Sequence, residues 1–461
     1  MKYLSLLLIF ISIQLHALTF KSDGTVIKSD GTVVESTKEL STSNNSSTGK
    51  GCSARGDITD PVIAPVWENY QREYTDNVND KLLNERKTIN IFVAWNQQEL
   101  SYPYADNRKL NSRQFGPKES IGLNWQWRTS KPYLPGVLIL SNIEWNYHYT
   151  GQKWSNFEGK EKYITKRKWD HSSDWGKTVW VNYNSDGYDE IVGNEAKRRF
   201  NQKFSGVTLD WWHDGHPGSG SNTKTRIKIA KNIKEKTEDN FLIIGNTNWE
   251  KDTSTHHMIN GVFLELIPKN KNPRSKHSCS EISEMENLLI LHDQELRYPK
   301  IVAFEPRLVR FQNNSVYKKF NEHDWWNNFN LDIIEKRNFD FIQDYNFKYA
   351  KLFAAISSVI PEHGYLNFSD NHGHSPVGHH RTYYYDFYDI DMGKPISLMT
   401  SIMEGVTYKK YERGIIVYNR LPIAVAVQFP SGRVETLEAY SGNFFWDDPQ
   451  EELENQKLLY N

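Results

Sequence analysis

The chain has 461 residues, 25% of them charged and 13% aromatic, with 56 Lys+Arg against 57 Asp+Glu and a formal net charge of −1. A hydrophobic fraction of 38% excludes a wholly disordered chain, 27 aperiodic Gly exclude collagen, and two Cys cannot staple a disulfide miniprotein. The even charge balance supplies no global field pointing to nucleic acid or to a membrane surface.

The first element is a targeting segment. Lys2 gives a positive start, residues 3–13 form an apolar run of signal-peptide length, and Ala17 is a small residue at the cleavage position. The run is too short to span a bilayer, which takes roughly 20 apolar residues. No Cys follows at once, so no lipoprotein anchor is expected, and no later segment is apolar enough to cross a membrane. Residues 1–17 are therefore read as a signal peptide on a protein that is secreted or periplasmic. The two cysteines, Cys52 and Cys279, pair in an oxidising compartment or stand as a loop thiol and a helix-start thiol. Residues 18–60 read as a flexible, disordered N-terminal tail. Lys21-Ser-Asp-Gly-Thr-Val26 recurs as Lys28-Ser-Asp-Gly-Thr-Val33, each copy with an Asp-Gly turn signal, and residues 41–51 are Ser/Thr/Asn-rich.

From residue 88 short apolar runs recur, at 89–95, 136–141, 177–183, 206–210, 241–246, 261–265, 300–305 and 364–369. Continuous apolar runs of this length suit strands buried on both faces of a parallel sheet. Helical periodicity fills several gaps, over 188–204, 224–239, 280–295 and 349–360. Alternating strands and helices predict an α/β fold, a (β/α)8 TIM barrel over residues 61–400. An open doubly wound sheet is the alternative, but no Gly-rich fingerprint follows any strand. The Trp/Tyr-rich stretches 96–135 and 144–176 are expected as long loops with small strands over one barrel face. Residues 401–446 predict a small C-terminal β-sheet domain, with strands near 414–418, 424–428 and 434–440. Residues 447–461 read as a frayed acidic tail.

In such a barrel the reactive groups sit at the C-terminal ends of the strands. The fourth run ends in Asp210, followed by Trp211, Trp212, His213 and Asp214; the sixth ends in Glu265; the seventh ends in Glu305, followed by Pro306 and Arg307; the eighth leads to Asp370. A carboxylate that ends a buried strand is costly unless it is paired, hydrogen-bonded or used. Two carboxylates across a cleft are the equipment of glycoside cleavage: one protonates the leaving oxygen, and the other attacks the anomeric carbon or activates water. The structural alternatives are a helix cap or an Arg307 partner for Asp210, and an ion pair for Glu265. Glu305 fits a structural or substrate-orienting role better than direct chemistry.

The segments Gly206-Val-Thr-Leu-Asp-Trp-Trp212, Ile244-Gly-Asn-Thr-Asn248 and Asn260-Gly-Val-Phe-Leu-Glu265 resemble the bacterial hypothetical glycosyl hydrolase families of TIM-barrel type. They are more distantly similar to endo-α-polygalactosaminidases and α-galactosidase-like barrels. The resemblance runs over about residues 88–425. It implies a strand-four carboxylate as nucleophile or base and a strand-six carboxylate as general acid, which by position are Asp210 and Glu265. The Trp-Trp-His-Asp that follows Asp210 gives this chain its own substrate contacts.

His363, Asp370, His372, His374, His379 and His380 form a second cluster. Dense His beside Asp can bind metal, but the ends of the first and fifth runs, at Trp95-Asn96 and Asn246-Thr-Asn248, offer no further ligands; a polar substrate loop is the favoured reading. No nucleophile elbow and no phosphate-cradling loop is present. The 15 Trp favour aromatic platforms for sugar rings over a purely core role. The expected substrate-binding residues are Trp95, Trp145, Trp211, Trp212, Asn246, Asn248, Glu305, Arg307, Asp370 and His372. The expected function is a secreted glycoside hydrolase acting on a polysaccharide or oligosaccharide, with no cofactor, no metal and no nucleic-acid partner. The rivals are a non-catalytic carbohydrate-binding protein on the same scaffold and a metal-dependent hydrolase. Nothing in the sequence sets the oligomeric state.

Overall fold

The structure, a computed structural model, describes residues 18–20, 26–28, 33–34, 52–66, 91–94, 138–150, 157–169, 177–202, 204–214, 222–269, 277–307, 333–366, 368, 387 and 390–460. The expected signal peptide lies outside them. The chain divides into two units, Met1–Lys50 and Gly51–Asn461. In the first, β1 (Leu18–Phe20), β2 (Val26–Lys28) and β3 (Val33–Val34) pair as an antiparallel meander. β2 and β3 start at the Val ends of the two hexapeptide copies, so the disordered tail expected over 18–60 is corrected at these three strands.

The second unit is built on a sheet of seven strands, all parallel. Its members are β5 (Ile91–Ala94), β6 (Leu138–Ile143), β10 (Gly206–Leu209), β11 (Leu242–Asn246), β12 (Gly261–Leu266), β13 (Ile301–Pro306) and β14 (Gly364–Leu366). They lie in the order β14-β13-β12-β11-β10-β6-β5, so spatial order follows chain order. One face sends Val207, Leu209, Ile243, Val262, Leu264, Val302 and Phe304 into the main core. Helices α1 (Tyr188–Asn201), α2 (Thr223–Lys236), α3 (Cys279–Glu295) and α4 (Ile333–Val359) cover it with residues such as Val192, Ile229, Met285 and Phe353. The other face carries Leu140, Leu242, Ile244, Phe263, Ile301 and Ala303, a second apolar cluster. Burial on both faces is why these strands read as unbroken apolar runs.

One expectation changes here. Among the described residues no ladder joins β5 to β14, so the described strands form an arc in barrel strand order. The third predicted run, β9 (Lys177–Val181), leaves it: β9 pairs antiparallel with β7 (Tyr147–Thr150) and β8 (Ile164–Trp169) in a separate sheet. An apolar run reports that a strand is buried, not which ladder takes it. Between β11 and β12 a single 3-10 turn at His256–Met258 stands in place of a helix.

Beyond α4 the chain is all-β. Strands β15 (Thr400–Met403), β16 (Val406–Tyr411), β17 (Gly414–Asn419) and β20 (Ser441–Trp446) make an antiparallel sheet. Strands β18 (Val425–Gln428) and β19 (Val434–Leu437) form another, completed by β4 (Ile58–Ile63) lying parallel to β18. The first of these sheets packs on α4 so closely that a Cβ on Gly442 would meet the Lys351 carbonyl oxygen at 2.0 Å. It therefore shares the main core through Tyr411, Ile416, Phe444 and Trp446. The predicted frayed tail is corrected to a helix, α5 (Pro449–Tyr460). Its acidic first turn suits a helix N-terminus, and Glu452 takes a two-pronged pair from Arg433 at 2.8 and 2.7 Å. The cysteines are joined, Cys52 to Cys279, with S–S 2.06 Å, at the start of α3. The described residues 52–60 thus fall within the range expected as tail.

Candidate active site

Alternation along parallel strands decides which side chains meet. Thr208 and Asp210 point as a pair, as do Ile244 and Asn246, Phe263 and Glu265, and Ala303 and Glu305. Leu209 is the register partner of Gly245, which brings Asp210 beside Asn246. Glu265 is the register partner of Glu305. Asp210, Asn246, Glu265 and Glu305 therefore share one face at the C-terminal edge of the sheet, as the strand-end reading predicts.

Asp210 is the buried centre of this set, 8% exposed. Its Oδ1 accepts the Asn246 Nδ2–H at 2.9 Å and the Trp211 backbone N–H at 3.0 Å. Its Oδ2 accepts the Tyr147 hydroxyl at 3.3 Å. The backbone carbonyl of Asp210 accepts the Trp145 Nε1–H at 2.7 Å. Burial, then the charge of Glu265, push the Asp210 carboxyl up from 3.8 to about 7, against the three hydrogen bonds that favour its anion. Among the described residues its carboxyl partners are Asn246, Trp211 and Tyr147 rather than Arg307, and the next described helix starts at Thr223.

The elbow after Asp210 is strained. Trp211 has φ 53°, and Asn248 after β11 has φ 52°, both left-handed positions that a side chain disfavours. Tertiary bonds hold the elbow. The Trp212 N–H reaches the Asn246 carbonyl at 2.6 Å, and the Trp212 Nε1–H reaches Thr255 Oγ1 at 2.9 Å. Fully buried Arg226 on α2 pairs with Asp214 at 2.7 Å and with Asp252 at 2.6 Å. It also donates to the Trp212 carbonyl at 3.3 Å. One guanidinium thus ties the loop after β10 to the loop after β11. Gly245 permits this packing, because a Cβ there would lie 2.5 Å from Trp212 Cδ1.

Several expected substrate contacts take other roles. Trp145 and Trp212 are fully buried, packed edge to face at 5.1 Å, with both indole N–H groups bonded inside the protein; they are core residues and the stacking role is corrected. Trp211 is half-buried and lies 6.0 Å from the His213 ring. Asn246 is a carboxylate partner, and Asn248 donates its N–H to Asn246 Oδ1 at 3.3 Å. Glu305 is fully buried beside Glu265. Arg307 is half-buried, and its backbone N–H donates to His277 Nε2 at 3.0 Å. Trp95, Asp370 and His372, with His374, His379 and His380, lie outside the described residues. Among the described residues no group of three His, Cys, Asp or Glu side chains is placed to hold a metal, and no helix is long and apolar enough to cross a membrane.

Two residues escape the sequence reading. Tyr147 lies in a stretch read as loop, though the spacing Trp145-x-Tyr147 is that of a strand edge. Arg226 stands at i, i+3, i+4, i+7 spacing with Ile229, Ala230 and Ile233, on the apolar face of a predicted helix. A cation on that face signals a buried ion pair.

No family model matches the sequence, and no curated protein matches it. Several solved structures are similar in shape. The galactosamine complex of Ega3 from Aspergillus fumigatus is 12% identical with a TM-score of 0.26, over 37% of this chain and 61% of that one, so this chain spans less than two thirds of it. The maltose complex of cyclic α-maltosyl-(1→6)-maltose hydrolase from Arthrobacter globiformis is 10% identical with a TM-score of 0.38, over 68% and 76%. An α-amylase from H. orenii is 12% identical with a TM-score of 0.38, over 67% and 80%.

Proposed function

We propose that the chain is an exported glycoside hydrolase that cleaves a polysaccharide with Asp210 and Glu265, the seven-stranded arc being the described part of a (β/α)8 barrel. The observation that carries this reading is a pair of carboxyls on one face at the C-terminal edge of a parallel sheet, close enough that the charge of one raises the other. Asp210 reaches about 7, the range in which acid and base chemistry run at neutral pH. The reaction needs one carboxyl as acid and the other as anion. The three donors around Asp210 favour its anion. Glu265 gives its proton to the leaving glycosidic oxygen as the C–O bond breaks. The Asp210 anion attacks the anomeric carbon, or takes the proton of the water that does. Water supplies the H and the OH that end on the two products. The Cys52–Cys279 bond supports export to an oxidising compartment.

The test is reducing-sugar release from a panel of bacterial and plant polysaccharides, amino-sugar polymers included, with wild type beside Asp210→Asn and Glu265→Gln. The expected result is release by wild type from one polymer class and loss by about a hundredfold or more in each variant. Binding of a polymer without release would replace this reading with a carbohydrate-binding protein.

A further inference from the structure

The two oxygens of Asp210 are not equivalent. Oδ1 faces two N–H groups, Asn246 Nδ2 at 2.9 Å and Trp211 N at 3.0 Å. Both are donors with nothing to accept, so they occupy the two lone pairs of Oδ1 in either protonation state. Oδ1 is thereby closed to a proton and to an electrophile. Among the described residues Oδ2 meets only the Tyr147 hydroxyl, at 3.3 Å, a group that donates to an anion and accepts from an acid. We propose that Tyr147 is a positioning residue that makes Oδ2 the working oxygen of Asp210, donating to it when the carboxylate is ionised and accepting from it when the carboxyl is protonated. The inference rests on the two-carboxylate reading for its bearing on catalysis. It rests on the hydrogen-bond geometry alone for its bearing on Asp210.

The surroundings of Tyr147 suit that task. It is the first residue of β7 and pairs across the ladder with Trp180. Its ring is 5% exposed, so the hydroxyl is held rather than wandering in solvent. Two residues earlier, Trp145 donates to the Asp210 carbonyl at 2.7 Å. The β6–β7 connection therefore grips Asp210 by its main chain and by its side chain at once. Behind the ring stands Lys160, fully buried, with its ammonium 6.0 Å from the Tyr147 centroid and bonded to the Glu144 carbonyl. The groups that bear on the titration of Asp210 are Glu265 on β12, which opposes ionisation, and Asn246, Tyr147 and the Trp211 N–H, which favour it.

The experiment uses the full chain labelled with 13C at the Asp carboxyls. The Asp210 resonance is assigned by its loss in Asp210→Asn, and its titration midpoint is compared between wild type and Tyr147→Phe. Removing one donor to the anion is expected to raise the midpoint by about one pH unit. The acidic limb of kcat/KM on the responding polymer should move up with it. An unchanged midpoint in folded Tyr147→Phe overturns the proposal. If Tyr147→Phe does not fold, 3-fluorotyrosine at position 147 makes the hydroxyl a stronger donor and should lower the midpoint; no movement overturns the proposal equally. If wild type cleaves no polymer, the hydrolase reading fails, while the carboxyl titration still decides the role of Tyr147.

Discussion

Replacing Asp210 by Asn should remove activity and raise stability, with a pH dependence that identifies the cause. The Asp210 carboxyl stands at about 7 in the folded chain against a reference of 3.8. A group whose folded value is raised favours the fold below its unfolded value and loses that advantage as pH rises through its folded value. Holding Asp210 ionised therefore costs roughly 1.4 kcal/mol per unit of separation, or roughly 4 kcal/mol above pH 7. At pH 4.5 the same relation leaves only about 1 kcal/mol. The Asn side chain keeps an oxygen for the Asn246 and Trp211 N–H groups and offers its amide to the Tyr147 hydroxyl, so it leaves no orphaned partner. Urea unfolding of both proteins at pH 4.5 and pH 8, with stability extrapolated to water, reads the difference. Titrating groups that do not interact with Asp210 cancel between the two proteins. The expected gain is largest at pH 8 and falls by about 3 kcal/mol toward pH 4.5. An equal gain at both pH values, or a loss at pH 8, would show that the carboxyl is not held against its own ionisation.

Two further perturbations test other parts of the structure. His292 Nε2 lies 3.0 Å from the Glu250 carbonyl and must donate, so its Nδ1 accepts the His256 Nε2–H at 2.6 Å. Among the described residues the His256 Nδ1 has no partner, and a proton added there would be buried without one. Burial and the His292 charge hold His256 at about 3, below its reference of 6.5. Its folded value being depressed, stability falls as pH drops below 6.5. His256→Gln, which keeps a donor for His292, should lessen the decline between pH 7.5 and pH 5 by roughly 2 kcal/mol, and a urea series in which the two proteins decline in parallel would refute this. Gly245→Ala would place a Cβ 2.5 Å from Trp212 Cδ1, and Trp212 is pinned by Thr255, Trp145 and Arg226. The expected loss is about 1–3 kcal/mol with a lowered Tm, and an unchanged Tm would mean that the elbow moves freely.

The site was more legible in the sequence than its walls. Asp210, Glu265, Asn246 and Glu305 could be found because a polar residue ending a two-face apolar strand has few bland explanations, and strand alternation alone puts the four on one face. The tryptophans misled for a physical reason. An indole is apolar over most of its area and needs one acceptor, which a carbonyl or a hydroxyl of the core supplies as well as a ligand does. Trp145 and Trp212 found theirs in the Asp210 carbonyl and in Thr255. The run at 177–181 misled because strand partners are set by tertiary ladders. Tyr147 stayed hidden because its partner is 63 residues away, a pairing that no local pattern announces.

The neighbourhood of Asp210 concentrates local costs that the rest of the fold must offset. A carboxyl is raised toward neutrality by burial, and two non-Gly residues, Trp211 and Asn248, are held left-handed on either side of Asn246. Strained backbone of this kind costs on the order of 1–3 kcal/mol per residue and persists only where neighbours over-determine it. The over-determination is visible. The Trp212 N–H to Asn246 bond joins the two elbows directly, and Arg226 closes the same two loops through Asp214, Asp252 and the Trp212 carbonyl. Each of these bonds ends on one of two consecutive strands, β10 and β11, or on the loops that leave them. The Trp211 N–H at this elbow is one of the two donors that set Oδ1 of Asp210 apart from Oδ2. The strain, the buried ion cluster and the asymmetry of the carboxylate are thus one arrangement, which fixes a single oxygen of Asp210 toward Tyr147.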